Sequence, residues 1–280
     1  MEWGGEDLLR FLKSVEDEYF KVQQGLRECA SNENWTEFDK LLEYSGLINI
    51  YLPEGHTLLQ EAANSGLSTV LRALIQTGAN VEMKSRKGQT ALHFAIRSGS
   101  KPAICELLDY RADLDTQDQD GQTSLHIAAQ SGSSESTKVL LDRGADIKIQ
   151  DQDGRTALHL AAQSGSSESV MLLLDHGAEI EIQDQDGRTA LHLAAQSGLQ
   201  DIMKVILCNG AVADVPDKDG QTVFSMIQSP SLQISIRKFA MAWENEKLHL
   251  LASKTCLNSA VRLKCTCRQH YFDGIRVQDM

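Results

Sequence analysis

Aromatic side chains are scarce in this sequence: three Trp, five Tyr and seven Phe make up 5% of 280 residues. Aromatics usually anchor compact cores and line small-molecule pockets, so a fold built on Ala and Leu is expected rather than one wrapped around a cofactor or a small substrate. Basic residues are also in deficit. Lys and Arg number 27 against 39 Asp and Glu, giving a net charge of −12 and a pI near 5.1. Such a balance argues against direct nucleic-acid binding, which needs clustered cations to displace counterions from phosphates. No window approaches 18 consecutive apolar residues, so no ordinary membrane-spanning helix and no membrane partner is expected. Residues 1–20 are acidic and amphipathic, unlike a secretory signal. The six cysteines (29, 105, 208, 256, 265, 267) are therefore expected as reduced thiols, and the protein in the cytoplasm or nucleus. Gly-rich phosphate loops, nucleophile elbows and His-Glu-x-x-His motifs are all lacking, which leaves an enzyme reading without support.

What is present is a repeat. Glycines stand at 55, 88, 121, 154, 187 and 220, each 33 residues after the last. Each opens a related run: Gly-His-Thr-Leu-Leu, Gly-Gln-Thr-Ala-Leu-His, Gly-Gln-Thr-Ser-Leu-His, Gly-Arg-Thr-Ala-Leu-His twice, and Gly-Gln-Thr-Val-Phe. Gln-Asp-Gln-Asp-Gly recurs at 117–121, 150–154 and 183–187, so the middle units are near copies. Six phased matches of Gly-x-Thr-x-Leu-His-x-Ala-Ala at this period resemble the ankyrin repeat, a β-turn followed by two helices.

One unit makes physical sense by itself. Residues 151–154 form a turn signal, with Gly154 free to take positive φ. Thr156 is placed to cap a first helix, whose Leu158, Ala161 and Ala162 share one apolar face. Gly165 stops that helix. Ser166 and Ser167 can start a second, with Glu168 near the positive end of its dipole. Leu173 and Leu174 are its core contacts, and Gly177 is a left-handed C-terminal cap. Arg111 departs from this pattern, standing where other units have Gly78, Gly144, Gly177 and Gly210.

The fold class expected is therefore all-α, an ankyrin-repeat solenoid with degenerate capping units. Residues 1–21 read as an N-terminal capping helix, with Leu8, Leu12, Val15 and Tyr19 on one face. Residues 22–54 read as a degenerate first unit, and 55–219 as five repeats (55–87, 88–120, 121–153, 154–186, 187–219). The segment 220–243 is a degenerate C-terminal capping repeat, with a helix over 231–243. Residues 244–280 form a Cys-containing tail. The last fifty residues carry eight Lys or Arg against four Asp or Glu, so the tail is basic where the body is acidic.

Three constellations invite chemistry. His93, His126, His159 and His192 recur every 33 residues, but stacked helices would hold them about 10 Å apart, too far to share a metal. In the family this His is structural. The Asp-x-Asp-Gly runs fail as calcium loops, because the twelfth position is the apolar Ile127 or Leu160 instead of Glu. In the tail, Cys256, Cys265, Cys267 and His270 offer a Cys3His zinc set, although Cys-x-Cys is tighter than the usual spacing. No cofactor is expected.

Resemblance to the family implies binding of another protein through the concave face made of turn tips and first helices. Carried over by position, that face comprises Arg86, Lys87, Gln89 and Arg97 in the second repeat and Gln119, Asp120, Gln122, Gln130 and Ser131 in the third. The fourth supplies Gln152, Asp153, Arg155, Gln163 and Ser164; the fifth supplies Gln185, Asp186, Arg188, Gln196 and Ser197. The basic second repeat beside an acidic middle would orient a partner of matching charge, with salt-sensitive affinity. The function expected is a monomeric, non-catalytic scaffold or adaptor. The alternative is a regulatory protein acting on transcription or on a biosynthetic or signalling pathway, and a third reading is an accessory subunit with a zinc-binding tail.

Overall fold

The computed structural model describes residues 48–49, 51–52 and 54–252, with side chains as far as 241. The expected N-terminal capping helix, most of the degenerate first unit and the candidate zinc residues Cys256, Cys265, Cys267 and His270 lie outside this range. The chain divides after Ala112 into two compact units.

In the first unit, two helix pairs follow one another: α1 (Leu58–Asn64) with α2 (Ser68–Gln76), and α3 (Ala91–Ser98) with α4 (Lys101–Asp109). Within it α1 packs on α3, and α2 on α4. In the second unit the pairs are α5 (Ser124–Gln130) and α6 (Ser134–Asp142), α7 (Ala157–Ser164) and α8 (Ser167–Asp175), and α9 (Ala190–Gln196) and α10 (Gln200–Cys208). A single turn, α11 (Val223–Met226), and a long helix, α12 (Pro230–Ala252), complete it. Helices α5, α7, α9 and α11 stack as an inner row, and α6, α8, α10 and α12 as an outer row. The described residues contain no strand, only one isolated antiparallel bridge between Tyr51 and Thr57. None of their helices is long and apolar enough to cross a membrane.

The sequence suggests one apolar stripe on each first helix. The structure buries more than a stripe. In α7 the consecutive residues Ala157, Leu158, His159, Leu160, Ala161 and Ala162 are all buried, and only Gln163 and Ser164 are exposed. An inner helix has a neighbour on each side in its row and an outer helix behind it, so nearly its whole circumference is covered. The Ala pairs let the helices approach closely, while Leu158, Leu173 and Leu174 supply the larger apolar area, each contributing about 1.5–3 kcal/mol on full burial.

The caps follow the residue chemistry. Ser166 precedes α8, and its Oγ accepts from the Ser169 amide at 3.3 Å, with Glu168 in the first turn. Arg111 is the one non-glycine residue with positive φ among those described, at 60°, so the register read from sequence holds at that position. The last helix starts with Pro230 in its first turn, where a missing amide costs nothing, and runs to Ala252, beyond the expected end at 243. Ile236 on α12 is fully buried, and Ser235 Oγ accepts from Gln200 Nε2 of α10 at 3.2 Å. Cys105 is a free thiol. Cys208 is disulfide-bonded, a departure from the expectation of reduced thiols.

Candidate functional site

The turns that precede α5, α7 and α9 project as fingers, and each is shaped by one buried acid, Asp118, Asp151 or Asp184. Asp151 is only 6% exposed. Its Oδ1 accepts from the amides of Asp153 (3.0 Å) and Arg155 (2.8 Å), and its Oδ2 from Arg155 Nε (3.0 Å). Arg155 Nη2 also reaches Asp153 Oδ2 at 2.8 Å. The next finger repeats this with Asp184, Asp186 and Arg188, the Arg188–Asp186 pair closing to 2.6 Å. The finger before has Gln122 at the arginine position, and there Asp118 Oδ1 holds the amides of Asp120 and Gln122. These inner acids are therefore engaged by their own backbone. Among the described residues no group of three or more His, Cys, Asp or Glu is placed to hold a metal.

Successive fingers are zipped together. The Gln152 amide donates to Asp120 O (3.0 Å), Gln185 to Asp153 O (2.8 Å) and Lys218 to Asp186 O (2.9 Å). Side chains reinforce the ladder: Gln152 Nε2 donates to Gln119 O, and Gln185 Nε2 to Gln152 O, each at 2.6 Å. Gln117, Gln150 and Gln183 also donate to the carbonyl of the finger glycine in their own turn. Close contact explains the finger glycines: a Cβ on Gly121 would lie 2.7 Å from the Gln152 backbone nitrogen.

The recurring histidines join helix to finger. Thr156 N–H donates to His159 Nδ1 at 3.2 Å, which leaves the proton on Nε2, and Nε2 donates to Arg188 O at 3.1 Å. His126 bridges Thr123 and Arg155 O in the same way, and His192 bridges Thr189 and Val215 O. Burial pushes the His126 and His159 pKa values below the ordinary 6.5, against the opposing pull of the carbonyls they face. In the first unit His93 of α3 accepts from Thr90 N–H at 3.1 Å, while in α1 Gln60 takes this place. Its Oε1 accepts from Thr57 N–H at 2.8 Å, and its Nε2 donates to Met83 O and Gln89 O.

The residues expected to meet a partner fall into two groups. Gln130, Gln163 and Gln196 end their inner helices exposed, and Gln119, Asp120, Asp153 and Asp186 are exposed on the fingers. Gln152, Gln185, Arg155 and Arg188 sit on the same surface but are engaged by neighbouring fingers or by their own acids. Gln122 is half-buried, Ser131 caps α5, and Ser164 Oγ donates to Ala129 O of the preceding repeat at 2.9 Å. Ser197 is exposed at the C-cap of α9. In the first unit Arg86, Lys87 and Arg97 are exposed, while Gln89 is buried. Arg97 Nη1 donates to Gln89 Oε1 at 3.4 Å. The ladder role of the Gln side chains was not anticipated from sequence, although their strict recurrence was the available signal.

The family signature of ankyrin repeats, in three copies, matches residues 26–118, 59–151 and 125–219. No curated protein matches the chain by sequence. Among solved structures the ankyrin repeat domain of Bcl-3, a member of the IkappaB protein family, is similar at 31% identity and a TM-score of 0.67. The similarity covers 76% of this chain and 97% of that domain. With the repeat, the helix pairs, the finger ladder and these matches in agreement, the chain belongs to the ankyrin-repeat family.

Proposed function

We propose that the protein is a non-catalytic scaffold or adaptor that binds another protein through the fingers and inner-helix ends of residues 113–219. One observation carries this reading. Each inner helix is buried except at its C-terminal end, where Gln130, Gln163 and Gln196 stand exposed in equivalent positions beside the exposed finger carboxylates. A surface built by rigid, mutually bonded repeats presents these groups without the ordering cost that loops incur. The likeness to an IkappaB family member supports a second reading, a regulatory role for the same binding activity.

The test is capture from native lysate with three baits: wild type, the triple variant Gln130→Lys/Gln163→Lys/Gln196→Lys, and an outer-helix control, Lys138→Glu. A protein held by wild type and control and lost by the triple variant supports the reading. Retention by all three moves the interaction elsewhere and overturns this face as the site.

A further inference from the structure

We propose that a second copy of this chain pairs with it through the outer face of α12, the two helices lying antiparallel about Met241. The pairing is independent of the binding face described above, and it sets a dimer in place of the monomer expected from sequence.

The two faces of α12 differ in what covers them. Ile236 is fully buried in a helix that packs against α10. Ile234 and Met241 are 54% and 67% exposed, the highest values for large apolar side chains among the described residues. Seven residues apart, they stand on one line along the helix, and Leu248 holds the next place on that line by register. The line is about 21 Å long. An apolar row at this seven-residue spacing is the pattern by which one helix packs along another.

Charge selects the direction of the pair. At about 100° per residue, Arg237 and Glu244 fall on one flank of the Met241 line, about 40° and about 60° from it. Lys238 and Asn245 fall on the other flank. Arg237 and Lys238 are exposed. The Arg237 guanidinium stands 4.9 Å from the centre of the Phe224 ring, which holds it in place without neutralising it. A parallel pair would set Arg237 of each copy beside Lys238 of the other, cation against cation, twice. In an antiparallel pair the two-fold axis keeps each flank on its own side, so Arg237 of each copy comes beside Glu244 of the other. Ile234 and Leu248 are equally far from Met241 in the chain, so each Ile234 meets the other copy's Leu248.

The same charges favour a second copy over the chain's own tail. The residues after Ala252 carry five Lys or Arg against two Asp, a net positive charge that Arg237 and Lys238 repel. A partner with an apolar row and an acid in the reverse order is what α12 itself supplies.

Sedimentation velocity of the full chain tests the pair. It is run at about 100 µM, because a seam between two helices belongs with the weak interfaces. Reductant is present so that thiol cross-links do not count. A species of twice the 30.9 kDa chain mass is expected. It should be lost in Ile234→Ser/Met241→Ser, whose circular dichroism should be unchanged because both side chains are exposed. Arg237→Glu and Glu244→Arg, each alone, bring like charges together twice and should weaken the dimer about tenfold. Mixed in equal amounts, these two variants should form a heterodimer as tight as the wild-type pair. A wild type that stays monomeric, or a dimer that survives Ile234→Ser/Met241→Ser, overturns the proposal. So does a mixture no tighter than either variant alone, which removes the antiparallel arrangement.

Discussion

Arg111 and the glycines around it separate two costs that a sequence motif merges. At Gly78, Gly144, Gly177 and Gly210 a Cβ would meet nothing within 4 Å, so glycine serves only the left-handed backbone there. That is why Arg111 can occupy the equivalent place with φ at 60°. The penalty is conformational, about 1 kcal/mol. Arg111→Gly should therefore raise the melting temperature by about 2–4 °C, read by circular dichroism. At Gly121 the φ is similar, 74°, but the space is not, because the next finger's backbone lies 2.7 Å from the added carbon. Gly144→Ala should cost about 1 kcal/mol. Gly121→Ala should cost about 2–3 kcal/mol, since backbone must also move. Equal losses in chemical denaturation would sink the steric account. Both glycines were legible in the sequence as one class; only the packing of adjacent fingers divides them.

At the scale of the element, the Thr–His pair ties the start of an inner helix to the following finger. The neutral imidazole suits the site, with Nδ1 accepting from Thr156 N–H and Nε2 donating to Arg188 O. His126 and His159 have folded-state pKa values lowered by burial, so the unfolded chain binds their protons more readily. Their contribution to stability is complete above the ordinary 6.5 and is lost as pH falls through the lowered folded values. Gln60 shows that an uncharged amide can fill the same place. His159→Gln should therefore leave stability at pH 8 within about 1 kcal/mol of wild type. It should also reduce the slope of stability against pH below 6.5, as followed by urea titrations across that range. An unchanged acid slope would remove His159 from the linkage.

For the molecule as a whole, the stack depends on what closes its rows. In the second unit α12 continues the outer row past α10, and Ile236 on α12 is fully buried. The exposed Arg237 and Lys238 beside it suit an end that meets water. Ile236→Ala should cost about 2–5 kcal/mol and lower the melting temperature of the chain, in contrast to Ile234→Ala on the exposed side of the same helix. Similar small effects from both would mean that α12 does not close the row. The sequence placed a capping helix here from its apolar spacing, but not its length. Nothing in residues 244–252 breaks a helix.

What the sequence by itself determined is the repeat, because period, turn glycines, caps and apolar spacing are local properties written into each 33-residue unit. The helices and the left-handed Arg111 follow from that periodicity and from the short-range chemistry of turns and caps, whereas the structural duty of the histidines is what the resemblance to the family implied. Only the tertiary structure decided which polar residues remain available to a partner. Gln152 and Gln163 look alike in the sequence, yet one is bonded to the neighbouring finger and the other stands exposed at the end of α7. Arg155 reads as a free cation until its bonds to Asp151 and Asp153 are seen. The physical reason is that hydrogen bonds between repeats depend on stacking distance and orientation, which no single unit specifies.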